Sequence, residues 1–240
     1  MSQSGPPEGS ASSLRQWRRP AVVGLSVGHP SGSVGSIGPF VVNPDGRIGF
    51  VSTSFVLAPE HSRPGDYIHQ PGPSHIEILT RTTRVAKLAM SVSPAEGGVV
   101  RVAAAVAEFL AGEEPKEHVL PGESGEAGRA LSSVLEPSEL SVGEEVAFVG
   151  CGSGYSRGRI VQPLRPEIKV EKYVFGPVIT VEGDSGAFSR PGDGGALVYR
   201  CADCRAIGLL VARQEKGERP RSVILPLGPA LDALGVRLLT

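Results

Sequence analysis

The stretch GDSGAFSRPGDGGALV, residues 183–198, contains two near-copies of one turn motif, and the choice between them decides how the chain is interpreted. The first copy carries Ser185 and leads into another turn with a proline, which interrupts the hydrogen bonding of a strand. The second copy carries Gly194 instead of serine and leads directly into the apolar run 196–199. The serine of such a motif can act as a nucleophile. A nucleophile on a glycine-rich turn needs a buried strand after the turn to fix its position. The second copy is therefore assigned to the nucleophile position, and that position is glycine.

The composition predicts a folded domain with many short strands. Hydrophobic residues make up 40% of the 240 residues, and the chain has 32 glycines and 21 prolines, which favour tight turns. The net charge of −1 excludes a strongly basic nucleic-acid or membrane surface. Three cysteines are too few for a disulfide framework, and no segment is typical of a signal peptide or a membrane span. We expect a cytoplasmic protein with reduced thiols, and the composition suggests a bacterial source.

Two series of β-rich segments, separated by a polar linker, predict an all-β protein built as two barrels or a pair of sandwiches. The segment 61–75 is predicted to be a loop, 99–110 fits a strand or a helix, and the leucine spacing of 229–238 predicts a helix that ends at Gly235. The predicted units are a disordered leader at 1–19, a barrel at 20–112, a linker at 113–140, and a second barrel with the terminal helix at 141–240.

Four stretches resemble, in order and spacing, the trypsin-like (chymotrypsin-fold, PA-clan) serine peptidases of the intracellular bacterial type. They are the nucleophile region at 191–213, the hairpin leading to the catalytic histidine at 40–60, the glycine-rich hairpin at 149–160 and the closing helix at 229–236. The resemblance implies two six-stranded antiparallel β-barrels, a short C-terminal helix and an active site in the cleft between the barrels.

The resemblance also implies where a catalytic triad would lie, and all three positions depart from the family pattern. Phe55 stands at the histidine position, Ala103 at the aspartate position and Gly194 at the serine position. Acyl transfer needs a nucleophile, a base and a group that orients the base, and none of these side chains can serve. The family's oxyanion hole uses main-chain N–H groups, here those of Gly192 and Gly194 on either side of Asp193, and so it does not depend on the lost side chains.

Further expectations concern binding. The resemblance places Phe188 at the floor of the specificity pocket, which predicts a small, apolar or blocked pocket; Phe55, Phe188 and the 192–194 turn are the expected binding residues. The leading interpretation is a catalytically inactive, regulatory or adaptor module that binds a protein or peptide segment in the cleft. No cofactor, nucleic acid or membrane is expected.

Two other functions stay open at this stage. A displaced active site could pair Ser185 with one of the loop histidines His61, His69 or His75, and a purely structural domain would have a closed cleft filled by Phe55 and Phe188. No metal site is expected; the pair Cys201 and Cys204 has the spacing of half a zinc site, but a structural zinc needs four ligands.

Overall fold

The structure is a computed structural model, and it describes residues 10–94, 97–115, 119–120, 128–215 and 219–240. The first half of the described chain consists of short strands and two one-turn helices. In chain order these are α1 Ala11–Leu14, β1 Ser26–Val27, β2 Gly35–Ser36, β3 Phe40–Val42, β4 Ile48–Ser52, α2 Ser54–Leu57, β5 Tyr67–His69, a 3-10 turn Pro73–His75, β6 Arg84–Val92, β7 Val99–Val100 and β8 Ala104–Phe109.

The second half contains longer strands and the longest helix. In chain order the remaining elements are β9 Val119–Leu120, β10 Arg129–Ala130, a 3-10 turn Pro137–Glu139, β11 Glu145–Gly150, β12 Gly154–Arg165, β13 Ile168–Val170, β14 Tyr173–Phe175, β15 Val178–Gly183, β16 Leu197–Arg200, β17 Ala206–Gln214, β18 Arg221–Pro226, α3 Leu227–Leu234 and β19 Arg237–Leu238.

The first sheet has six antiparallel strands in the order β19-β3-β4-β8-β6-β5. The hairpin β1–β2 adjoins its edge, where Gly28 pairs with His69, and the chain then runs from β2 into β3. Phe40 and Phe50 lie directly opposite each other on β3 and β4, and both side chains are fully buried. This arrangement is consistent with the first of the two predicted barrels.

The second sheet is a closed antiparallel barrel in the order β11-β12-β15-β18-β17-β16. Closure leaves no unpaired sheet edge, and the apolar side chains inside the barrel form one core cluster that includes Phe148, Ile160 and Phe188. The glycine-rich hairpin that opens this barrel pairs β11 with β12 in register up to Gly150 opposite Gly154. The all-β prediction is confirmed.

The C-terminal segment connects the barrel to the first sheet. Helix α3 buries Leu231 and Leu234 and ends at Gly235, whose left-handed φ of 62° suits glycine. The predicted terminal helix is therefore confirmed. Beyond it, β19 pairs with β3 of the first sheet, although β19 lies within the predicted second barrel unit at 141–240. A two-residue strand carries too little pattern to reveal its partner.

Two predicted irregular segments contain ordered structure. The predicted loop 61–75 includes β5, which is only three residues long and lies among prolines and glycines. Of the predicted leader, residues 1–9 lie outside the described part, whereas α1 packs Leu14 at 1% exposure and Arg15 donates to the Cys151 carbonyl at 2.7 Å. The segment 99–110, for which the sequence fitted a strand or a helix, forms the strands β7 and β8. Within the described ranges, no helix has the length and apolar character that a membrane span requires.

Replacement of Leu234 by alanine tests whether α3 stabilises the whole fold. The side chain lies in the larger core cluster at 1% exposure, so its truncation should cost about 2–5 kcal/mol in the free energy of unfolding. Urea unfolding followed by circular dichroism measures this loss. The exposed Asp232→Ala on the same helix is the control and should stay within about 0.5 kcal/mol of the parent. Equal effects of the two changes would contradict the packing described.

Candidate functional site

The structure places the two copies of the turn motif in different surroundings. Gly194 lies in the turn just before β16, and it lines a groove between the first sheet and the barrel. Ser185 lies in an exposed turn at the end of β15, where Gly183 and Gly186 form a bridge. The serine of the first copy does not line the groove.

The second turn is fixed by the buried carboxylate of Asp193, which is 0% exposed. One oxygen accepts hydrogen bonds from the main-chain N–H groups of Gly152 at 2.8 Å and Ser153 at 3.0 Å. The other accepts from the Ser153 hydroxyl at 2.6 Å and the Arg190 N–H at 2.7 Å. Burial raises the pKa of the Asp193 carboxyl, and these hydrogen bonds oppose that shift. The side chain is fully occupied inside the protein, so it anchors the turn and is not available to a ligand.

Ser36, on β2 of the β1–β2 hairpin, fixes the same turn from the other side of the groove. Its hydroxyl donates to the Gly192 carbonyl at 2.9 Å and accepts from the Cys151 N–H at 2.9 Å, and its own N–H donates to the Gly194 carbonyl at 2.9 Å. The Cys151 thiol also donates to the Gly192 carbonyl at 3.1 Å, and burial raises the pKa of this thiol to about 11. The thiol is therefore a neutral donor at neutral pH. Sequence reasoning missed Ser36, because its contacts lie more than 110 residues away along the chain.

These contacts use the carbonyl groups of the turn and leave two of its N–H groups unpaired. Within the described part of the chain, the N–H groups of Gly192 and Gly194 have no hydrogen-bond acceptor. Both residues line the groove, and Gly192 adopts a φ of 101°, which favours glycine. Two main-chain N–H groups without an acceptor therefore belong to residues that line the groove.

The groove is open and has a volume of about 430 Å³. Its first-sheet side carries Phe55 and Val56 from α2, and its barrel side carries Leu210 and Val211 from β17. Arg190 lies on the same turn as the two unpaired N–H groups and is exposed. The walls are mainly apolar, with polar and charged groups near the turn and at the rim.

Phe55 belongs to an aromatic cluster that forms one wall of this groove. Its ring centroid lies 5.1 Å from that of Tyr173 and 6.4 Å from that of Phe175, both on β14. Ala103 is buried in the small core cluster that Phe55 contacts, and its carbonyl accepts a 3.3 Å hydrogen bond from the Ser54 N–H. The structure therefore brings Phe55, Ala103 and Gly194 into one region. The sequence analysis did not use the motif Tyr-Val-Phe, whose aromatics two residues apart lie on one strand face and could have indicated this wall.

Phe188 is placed differently from its expected position at a pocket floor. It is fully buried in the barrel core, with its ring centroid 4.9 Å from that of Phe148, and it does not line the groove. A large apolar ring gains more from burial in the closed barrel than from facing an open groove. The binding role expected of Phe188 is thus not reflected in the geometry of the groove.

Ser185 and the histidines predicted as its possible partners do not form a site in the described ranges. No hydrogen bond joins Ser185 to a histidine in the described ranges: the imidazole of His69 contacts the Thr83 hydroxyl at 2.7 Å, that of His75 contacts Ser26, and His61 is exposed.

The cysteines are also dispersed. Cys201 and Cys204 are free thiols whose pKa values are raised by burial. In the portion described, no group of three or more His, Cys, Asp or Glu side chains is placed to hold a metal ion.

Comparison with solved structures identifies the class of fold. The Nocardiopsis protease NAPase matches with a TM-score of 0.66 at 15% identity, over 91% of this chain and 98% of that one. A chymotrypsin of Cellulomonas bogoriensis matches at 0.64 and 19%, over 91% and 98%. A glutamic acid specific serine protease matches at 0.67 and 15%, over 91% and 100%. This likeness shows the fold, so the predicted chymotrypsin-type architecture is confirmed. No family model and no curated protein matches the chain.

Alanine substitutions at the adjacent Gly194 and Gly195 test whether the first position is open and the second is closely packed. A Cβ atom at Gly194 would have no neighbour nearer than 3.8 Å, whereas one at Gly195 would lie 1.8 Å from the Ser52 hydroxyl oxygen, at a φ of 87°. Gly194→Ala should change the free energy of unfolding by less than about 1 kcal/mol, and Gly195→Ala should lower it by about 3 kcal/mol. Thermal unfolding measures both. A severe loss for Gly194→Ala would be inconsistent with an open position.

The aspartates of the two motif copies provide a second matched pair. Asp193→Ala removes the acceptor of three main-chain N–H groups and should destabilise the protein by on the order of 3 kcal/mol. Asp184→Ala removes only an exposed carboxylate 3.6 Å from Arg159 and should change stability by less than about 0.5 kcal/mol. Urea denaturation measures both variants. Similar losses in the two would refute the anchoring role of Asp193.

Proposed function

We propose that this chain is a catalytically inactive trypsin-like domain that binds a peptide segment of a partner protein in its groove. The observation that carries the proposal is that the turn with two unpaired N–H groups lies in an open groove, and the sequence assigns Gly194 of this turn to the nucleophile position. The turn keeps its hydrogen-bond donors without an oxygen or sulfur nucleophile. Such a site can bind a carbonyl or carboxylate oxygen but cannot form an acyl-enzyme.

The residues around Gly194 support the loss of catalysis. Phe55 lines the groove with a ring that cannot accept a proton, and Ala103 cannot orient a base. Loss of one triad member leaves about 10³–10⁴-fold catalysis over water in a serine peptidase, through the oxyanion hole and binding alone. With all three members replaced, turnover by this mechanism is not expected.

The geometry favours this proposal over the other two functions. An active site built on Ser185 would need a base, yet the described histidines are held by other partners or are exposed. A structural domain with a closed cleft would have the groove filled, yet its volume is about 430 Å³ and Phe188 lies in the barrel core. A cytoplasmic, bacterial setting stays a prediction from the sequence.

A fluorophosphonate probe tests the absence of a nucleophile. The wild-type protein should not be labelled, and Gly194→Ser should also stay unlabelled, because the restored hydroxyl has no base beside it. Trypsin serves as the positive control for the probe. Labelling of the wild-type protein that disappears in Ser185→Ala would overturn the proposal and favour the displaced active site.

Peptide binding is tested with an array of random decapeptides and with fluorescence anisotropy of the peptides retained. Gly194→Phe should lower their affinity at least about tenfold, because the ring would occupy the groove. Val142→Phe, at a position 70% exposed and outside the groove lining, is the control and should bind as the wild type does. If no decapeptide binds, or if the groove variant binds equally well, the proposed function fails.

A further inference from the structure

Three hydrogen-bond donors without a partner in the described part of the chain belong to residues that line the groove. Besides the N–H groups of Gly192 and Gly194, the hydroxyl of Thr53 lines the groove and has no hydrogen-bond partner in the described part of the chain. Thr53 is the N-cap residue of α2, but its side chain makes no capping hydrogen bond. Because Thr53 lines the groove, a ligand atom there can accept a hydrogen bond from this hydroxyl.

The space beside these donors has room for a ligand with two oxygens. A Cβ atom at Gly194 would lie 3.9 Å from the Thr53 hydroxyl oxygen and 3.8 Å from a Val56 methyl carbon, so the space beside the turn is free. One oxygen can accept from the two turn N–H groups while a second occupies this space near Thr53. An internal peptide carbonyl has only one oxygen and would leave the hydroxyl unpaired.

The charge near the turn favours an anion. Arg190 lines the groove on the same turn, and in the described ranges its guanidinium has no carboxylate partner. Two carboxylates also line the groove: Glu215 forms an ion pair with Arg213, and Glu171 is exposed on the turn between β13 and β14. The unpaired cation therefore lies on the turn itself, beside the N–H donors, and the unpaired anion lies on another element.

We propose that the groove binds the C-terminal carboxylate of a peptide whose last residues are apolar, with the carboxylate on the 192–194 turn, Thr53 and Arg190. This inference rests on the proposed function and names the ligand group of that site. The walls formed by Phe55, Tyr173 and Leu210 accept apolar side chains. Capture of a terminal carboxylate by main-chain N–H groups is a known mode of peptide recognition, and hydrogen bonds to a charged acceptor are the stronger ones.

The test compares one set of peptides in two chemical forms. Fluorescein-labelled hexapeptides, whose last two residues cover all pairs of Ala, Val, Leu, Phe, Tyr and Ser, are made with a free C-terminal carboxylate and with a C-terminal amide. Anisotropy titrations should show the best acids binding at least about tenfold more tightly than their amides. If acids and amides bind equally, the carboxylate inference fails while the proposed function stands. If neither form binds and random decapeptides do not bind either, both fail.

Single substitutions then identify the side chains that bind the carboxylate. Thr53→Val keeps the shape of the side chain and removes the hydroxyl, and Arg190→Gln removes the charge; each should reduce the preference for the acid by about fivefold or more and affect the amide less. Arg159→Gln, an exposed change outside the groove lining, is the control and should keep the full preference. Retention of the full preference in both Thr53→Val and Arg190→Gln would overturn the assignment of the site.

Discussion

The buried carboxylate of Asp193 is the group on which the site depends. Burial of an ionised carboxylate is costly, and here four hydrogen bonds, three of them from main-chain N–H groups, offset that cost. The requirement for close approach explains the glycines of the facing hairpin, since a Cβ atom at Gly150 or Gly152 would lie within 3.0 Å of the carboxylate. The anchor belongs to the barrel itself, so the geometry of the turn does not require any member of a catalytic triad.

The first sheet completes this restraint through a short series of hydrogen bonds. The Ser52 hydroxyl donates to the Ser36 carbonyl at 2.9 Å, and Ser36 in turn holds the carbonyls of Gly192 and Gly194. Gly195 packs directly against Ser52, which leaves no room for a side chain. Because each carbonyl of the turn is held from behind, the donors on the groove side are preorganised. Preorganised donors lower the entropic cost of binding, whether or not a reaction follows.

Much of the fold could be predicted because it follows from local pattern. The strand after Gly194, the helix ending at Gly235 and the glycine-rich hairpin all carry short-range signals of strand, cap and turn. The groove could be predicted only in part. Phe55 and Gly194 were found through the resemblance and the local chain context, whereas Ser36 acts through contacts that no local pattern encodes. Phe188 shows a different limit, since the resemblance implied a pocket floor and its ring lies in the barrel core.

In the proposed function, the residues at the three positions implied by the resemblance change what the groove can bind. The resemblance would place an aspartate at Ala103 and a titratable imidazole at Phe55. A carboxylate near the groove would repel an anionic ligand, and at low effective dielectric that repulsion amounts to several kcal/mol over a few ångströms. Ala103 removes this charge, Phe55 replaces the imidazole with an apolar ring, and Gly194 leaves the space that a serine hydroxyl would fill. A peptidase has to release its carboxylate product, whereas the proposed site would retain a carboxylate as its ligand. Under the proposed function, the replacements that take away the catalytic groups also leave room in the groove for a peptide terminus.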